Sequence, residues 1–157
     1  MRKLILAICT LLLAAGLSTA SATNSALNLA KYQGKVVYLD FWASWCKPCR
    51  NSFPWMNAMQ RKYGNRGLQI IGINVDEHRS DAERFLDQKP ADFKVVFDPQ
   101  GKLAEKYNLI GMPSSFLINR QGHIVWRHKG FHNDARLQYE AKIRALLAKS
   151  DTSGVAK

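Results

Sequence analysis

Cys46 and Cys49 stand two residues apart in the stretch FWASWCKPCR, residues 41–50. Two thiols at that spacing have three ordinary uses: they hold a metal, staple a fold, or exchange electrons. Zinc asks for four ligands, or three and a water, usually from two spaced pairs. Here there is one pair, and the four histidines (His78, His123, His128 and His132) show no partner spacing. His128 and His132 are four apart, but Gly130 lies between them at a strand end, and each histidine reads as an exposed polar residue. No metal is expected. A staple is a poor use as well, because closing so short a loop removes little entropy from the unfolded chain.

Electron exchange remains. A pair that follows a strand and opens a helix closes a tight ring, with the first sulfur at the helix N-terminus. Free N–H groups and the helix dipole favour the thiolate there. Lys47 adds positive charge beside it. Cys46 is thus the expected attacking thiolate, and Cys49, one turn into the helix, the expected resolving thiol. Pro48 falls in the first turn, where its missing N–H costs nothing and its fixed φ stiffens the ring. Asp40 interrupts an otherwise apolar strand. Buried, it would hold a raised pKa and could accept the Cys49 proton as that thiol attacks. At a solvent-facing strand end it would be a plain polar residue. Both readings stay open.

The elements that must position these groups are legible from hydrophobic periodicity. KVVYLDF (35–41) is a buried central strand. Residues 50–63 carry Phe53, Met56, Met59 and Tyr63 at helical spacing, with Pro54 expected to kink or restart the helix. A second buried strand covers 67–76. Ser80 and Glu83 suggest a capping box opening a helix over 80–88. A short strand (94–98), a turn at Asp98-Pro99-Gln100-Gly101 and a short helix (102–109) follow. Residues 114–119 and 123–130 read as a β-hairpin. Asn133 is placed to cap a last helix to about residue 148, with Leu137, Ile143, Leu146 and Leu147 on its apolar side. This order implies an α/β class fold: a three-layer α/β/α sandwich on a mixed sheet, with an inserted α-β unit.

The chain has 157 residues, enough for one domain with a full core. Residues 1–22 stand apart: MRK, then the apolar run LILAICTLLLAAGL, then small residues at Ala20 and Ala22. That is the pattern of a cleaved Sec-type signal peptide, with an uncleaved membrane anchor as the alternative. Only five apolar residues precede Cys9, too few for lipoprotein cleavage there, so Cys9 is expected to leave with the signal. The domain is expected over 23–148 and a frayed tail over 149–157. Loss of Arg2 and Lys3 lowers the formal charge from +11 to +9. The basic residues are scattered, with no run longer than two. The charge therefore reads first as solvation and second as steering toward an acidic partner or lipid headgroups, with no nucleic-acid partner.

The residues resemble a known family. D-F-W-A-S-W-C-K-P-C is similar to the thioredoxin segment D-F-W-A-x-W-C-G-P-C, and Pro54 falls where thioredoxins kink their active-site helix. IGMPSSFLINRQGHIV (110–125) resembles the family's G-x-P-T-x-F-L-I-D-x-x-G-x-I segment, in which the proline is cis and faces the cysteines. The insert with VVFDPQGKLAEKYNL resembles the exported TlpA/ResA-type thiol-disulfide reductases. The resemblance covers roughly residues 27–148. It implies a thioredoxin fold, Cys46 as nucleophile, Cys49 as resolving cysteine, Asp40 at the buried-acid position, Pro113 as the cis-proline, and Trp45 as an aromatic shoulder. Trp45, Lys47, Pro48, Met112 and Pro113 are the implied client-binding residues. Thioredoxin's lysine near the buried acid is replaced here by Gly72.

The implied activity is a periplasmic, Gram-negative protein thiol-disulfide oxidoreductase without a cofactor. It would reduce disulfides of client proteins, with apocytochrome c as one candidate, and draw electrons from a membrane donor. Lys47 favours the reduced form and hence an oxidant or isomerase, whereas Pro48 and the family resemblance favour a reductase. A copper(I) chaperone using the two thiolates and Met112 is the alternative from another class. A peroxidase is disfavoured, because the T-x-x-C pattern is missing.

Overall fold

The computed structural model of the chain describes residues 27–149. The expected signal peptide, Cys9 and residues 150–157 of the expected tail lie outside the described residues. A 3-10 turn at Leu29–Tyr32 leads into β1 (Val36–Trp42), α1 (Lys47–Tyr63), β2 (Leu68–Asn74) and α2 (Arg79–Gln88). Then follow β3 (Lys94–Phe97), α3 (Lys102–Lys106), β4 (Ser114–Ile118), β5 (Ile124–Lys129) and α4 (Arg136–Ala148). The strands form one sheet in the order β3-β2-β1-β4-β5. The β1–β2 and β2–β3 pairs are parallel, and the β1–β4 and β4–β5 pairs antiparallel.

β1 lies at the centre of this sheet, and all seven of its residues are buried. Side chains alternate between faces along a strand, so β1 feeds two cores. Val36, Tyr38 and Trp42 pack with α1, with Phe85 of α2 and with Tyr139 and Ile143 of α4. Val37, Leu39 and Phe41 pack on the other face with Leu103 of α3, Tyr107 and the N-terminal turn. Helices therefore cover both faces, which is the three-layer α/β/α arrangement on a mixed sheet. The first core is held by an aromatic cluster: Trp42 lies 4.9 Å from both Phe53 and Phe85, and Phe53 lies 5.3 Å from Phe93. The two edge-to-face pairs among these, Trp42–Phe53 and Phe53–Phe93, add about 1 kcal/mol each beyond the area they bury.

Several local expectations are corrected. α1 runs unbroken from Lys47 to Tyr63 with Pro54 inside it, so the helix does not restart there. α2 begins one residue before Ser80, and its N-cap is His78, with no side-chain cap bond. The capping box does not form, because Glu83 is drawn instead to Arg79, one turn earlier, at 2.8 Å. α3 ends at Lys106 rather than 109, where Asn108 adopts a positive φ of 49°. Asn133 does not cap α4. It opens a 3-10 turn, Asn133–Ala135, whose own cap position is His132. Ile143, Leu146 and Leu147 face the core as expected, joined there by Tyr139, but Leu137, in the first turn of α4, is 81% exposed.

Candidate functional site

The site is built where β1 runs out into α1. Cys46 is the N-cap of α1, in extended backbone, and its Sγ accepts a hydrogen bond from the Cys49 N–H at 3.3 Å. Lys47 and Pro48 occupy the first turn and are exposed. No acidic residue lies in that turn to offset the positive helix end. The two sulfurs are joined in a disulfide, with Cα atoms 5.3 Å apart. Cys46 keeps a sliver of exposure at 4%, while Cys49 has none.

Asp76, which sequence reasoning passed over, fixes the turn in front of Cys46. Its carboxylate accepts from the Ser44 N–H at 3.0 and 3.2 Å, from Ser44 Oγ at 3.0 Å and from Asn74 Nδ2 at 2.7 Å. The Val75 N–H meets the Trp42 carbonyl at 3.0 Å, and the Arg50 guanidinium reaches the Ser44 carbonyl at 3.3 Å. The end of β2 thus holds the segment that presents Trp45 and Cys46. A buried acid just after an apolar strand, two residues beyond an asparagine, was the available signal.

The opposite wall is the segment before β4. The Met112–Pro113 peptide bond is cis, Pro113 is buried, and its carbonyl accepts from the Gly130 N–H at 2.8 Å. Phe41 pairs with Ser114 across β1 and β4, which brings Pro113 level with Trp42 and the turn that follows it. Met112 is half-buried and touches both cores. Two large apolar side chains stand out of the surface in the neighbouring segments: Trp45 at 71% and Ile110 at 83% exposure. Ile110 had not been singled out in the sequence, where an isoleucine between a leucine and a glycine reads as core.

Asp40 is 1% exposed, so of its two readings the structure takes the buried one. It sits on the same face of β1 as Tyr38 and Trp42, the face covered by α1 and its cysteines. Oδ1 accepts from Ser115 Oγ at 2.5 Å, and among the described residues Oδ2 has no partner. Burial drives its pKa up to about 7, against the opposing pull of the Ser115 hydroxyl. No cation relieves it from β2. Asp40 pairs with Gly72 there, and a Cβ at Gly72 would lie 3.0 Å from both Phe93 Cε2 and Trp42 Nε1. The Trp42 indole fills the room that a lysine at that position would need.

The histidines correct a second expectation. His128 is not an exposed polar residue. It is half-buried, with Nε2 3.0 Å from the Tyr38 hydroxyl and its Nδ1 2.9 Å from the Gly130 carbonyl. Its ring stacks on Tyr139 at 4.4 Å. Desolvation lowers its pKa, the Gly130 bond opposes that, and the neighbouring His132 adds to it. His78, His123 and His132 are exposed. Among the described residues, no group of three or more His, Cys, Asp or Glu side chains could hold a metal ion, and no helix is long and apolar enough to cross a membrane.

A helix-capping cysteine pair beside a buried proline, on a mixed five-stranded sheet with helices on both faces, defines a thioredoxin-like protein with a dithiol site. The chain belongs to the Redoxin family, whose model matches residues 10–146. Among curated proteins it is 35% identical to the thiol-disulfide oxidoreductase ResA of Bacillus thuringiensis subsp. konkukian over 112 residues, 71% of this chain and 65% of that one. It is 32% identical to ResA of Bacillus subtilis over 99 residues, 63% of this chain and 55% of that one. The chain thus spans somewhat less than two thirds of these relatives' length. Among solved structures, a Chlorobium tepidum protein assigned as the thiol:disulfide interchange protein DsbE superposes with a TM-score of 0.76 at 49% identity, covering 78% of this chain and 86% of that one. StoA of Bacillus subtilis superposes with a TM-score of 0.61 at 26% identity, covering 69% and 84%. The thioredoxin fold expected from the sequence is the one these proteins share.

Proposed function

We propose that this chain is an exported protein thiol-disulfide oxidoreductase that reduces disulfides of client proteins through Cys46 and Cys49. The observation that carries the reading is the asymmetry of the pair: Cys46 caps the N-terminus of α1 at the protein surface, and Cys49 lies sealed beneath it. In the reduced protein the Cys46 thiolate, favoured by the helix end and by Lys47, attacks one sulfur of a client disulfide. A Cys46–client mixed disulfide forms, and the other client sulfur leaves as a thiolate. Cys49 then attacks Cys46 Sγ, the Cys46–Cys49 bond closes, and the second client thiolate departs. Two electrons pass from the pair to the client. The Cys49 proton goes to Asp40, whose unpaired Oδ2 lies on the α1 side of the sheet.

Pro113 and Met112 form the ledge along which an extended client segment pairs, the mode of β-strand addition. Trp45, Ile110, Lys47 and Pro48 form its rim. The names carried by the curated relatives support this chemistry. The basic start, apolar run and small-residue exit of residues 1–22 support export, and the periplasm of a Gram-negative cell is the compartment we propose. That compartment is kept oxidising, so a reductant there needs a membrane electron donor, and apocytochrome c is one client class that fits.

Two measurements test this. Under brief alkylation of the reduced protein at neutral pH, Cys46 is expected to be modified faster than Cys49; equal rates would remove the nucleophile assignment. Equilibration against dithiothreitol or glutathione gives the potential. A value near the ~−270 mV of thioredoxin fits the reductase, whereas one near the ~−120 mV of DsbA makes the chain an oxidant.

A further inference from the structure

The ledge before β4 carries a charge that the redox chemistry leaves unused. Lys129 ends β5, the edge strand, and pairs in register with Ser114, the first residue of β4. The next residue, Gly130, donates its N–H to the Pro113 carbonyl at 2.8 Å. The Lys129 backbone is therefore tied to the cis-proline segment on both counts. Its side chain lies across Gly111: a Cβ built there would stand 2.7 Å from Lys129 Cε and 3.1 Å from Nζ. Gly111 is held in turn by Ser114, whose hydroxyl donates to the Gly111 carbonyl at 2.7 Å. The lysine stem thus rests on backbone between the exposed Ile110 and Met112, with its ammonium at the ledge. Lys129 is exposed, and none of the four ion pairs among the described residues includes it. Lysine on an edge strand ordinarily discourages pairing with another sheet. That use calls for no particular seat, whereas this stem is folded back onto the one ledge residue that lacks a side chain.

We propose that Lys129 is a specificity-determining residue that selects clients carrying an Asp or Glu at a fixed distance along the chain from the reacting cysteine. The inference rests on the reading of the chain as a client disulfide reductase with Met112 and Pro113 as its ledge. A client segment pinned by its cysteine at Cys46 and extended along that ledge advances about 3.3 Å per residue, with successive side chains on opposite faces. A cation held at one place can then meet only one or two positions of the segment. Lys47, in the first turn of α1, adds positive charge on the cysteine side, and no acid stands in that turn to oppose it.

The test walks a single Asp through an otherwise uncharged peptide, from about three residues before its one cysteine to about three after. The cysteine is joined to thionitrobenzoate as a disulfide. The Cys46 thiolate of the reduced protein attacks the peptide sulfur, a Cys46–peptide disulfide forms, and thionitrobenzoate leaves as a coloured thiolate. Each rate is divided by that of the same peptide with dithiothreitol, which removes the intrinsic effect of the Asp. In the wild type, Asp at one or two positions is expected to raise the rate about fivefold, and about 1 M salt to abolish the gain. Lys129→Gln is expected to flatten the profile, and Lys129→Glu to favour Lys over Asp at the same positions. Gly111→Ala keeps the charge but pushes the stem aside, and is expected to shift the favoured position or halve the preference. Lys35→Gln removes an equal charge just before β1, at the end of that strand away from Cys46, and is expected to keep the wild-type profile.

A wild-type profile that is flat, or raised equally at every position, would reduce the effect to net charge and overturn the proposal with the reductase reading intact. A preference that survives in Lys129→Gln, or falls equally in Lys35→Gln, would do the same. If Lys129→Gln flattens the profile and Gly111→Ala leaves it unchanged, the charge acts from elsewhere than the Gly111 seat, and the proposal fails in that form. No release from any peptide above that of Cys46→Ser would overturn the reductase reading and the proposal with it.

Discussion

Asp40 and Asp76 are the same residue type and are both nearly inaccessible at 1% and 3% exposure, Asp40 within β1 and Asp76 two residues beyond the end of the adjacent β2. Their surroundings differ in donors. Asp76 receives the Ser44 N–H, the Ser44 hydroxyl and the Asn74 amide, so both its oxygens are occupied. Asp40 receives one hydroxyl and leaves Oδ2 bare. A buried carboxyl surrounded by donors is a structural tie, whereas one with a vacant oxygen is costly when ionised and available to a proton. Burial alone does not distinguish a brace from a base; the count of donors does.

That contrast predicts its largest effect in the pH dependence of stability. The folded pKa of Asp40, about 7, lies above its unfolded-chain counterpart of 3.8. The folded protein therefore holds this proton more tightly than the unfolded one. The associated stability is fully present below 3.8 and is lost as pH rises to about 7. The full span is about 4 kcal/mol. Asp40→Asn is expected to remove this slope, so the variant should gain on the wild type as pH rises and hold its advantage above neutrality. Urea unfolding of the two oxidised proteins across about pH 4 to 8 reads the difference. A constant gap between the curves would mean that Asp40 ionises as freely as in the unfolded chain.

Asp76→Ala is the converse. It orphans the Ser44 N–H and hydroxyl and the Asn74 amide, and should cost about 3 kcal/mol. Its effect should also reach function, because Ser44 holds the turn that presents Trp45 and Cys46. Brief alkylation should then show a smaller rate advantage of Cys46 over Cys49. A variant as stable as the wild type with an unchanged ratio would reduce Asp76 to a replaceable polar contact.

How much of this was legible in the residues follows from physical range. The cysteine pair, its helix and the central strand are local patterns, because spacing and β-branched runs act within a few residues. The mixed sheet followed from element order. Asp40 could not be placed between core and surface, because one polar residue in an apolar strand has no periodicity of its own. His128 was misread for a related reason: its partners Tyr38 and Tyr139 come from β1 and α4, far away along the chain. Ser80 and Asn133 carried sound capping signals, yet Glu83 found Arg79, and a 3-10 turn shifted the start of α4. Ser115 gave no signal in sequence at all, since its importance lies only in standing opposite Asp40.

Ser115 is therefore the finest test of the comparison, because among the described residues it is the one donor that Asp40 possesses. Ser115→Ala removes a single oxygen and converts Asp40 from a carboxyl with one partner to one with none. The Ser115 bond favours the ionised form, so its loss should push the Asp40 midpoint further up and steepen the fall of stability with pH. The added loss is about 1 kcal/mol, the size of one hydrogen bond, and it should appear only where the wild-type carboxyl is ionised. At low pH, where Asp40 is protonated in both proteins, the variant should lie close to the wild type. A deficit equal at all pH values would instead mean that Ser115 matters through packing, and that the vacancy at Oδ2, not the single donor at Oδ1, sets the behaviour of this acid.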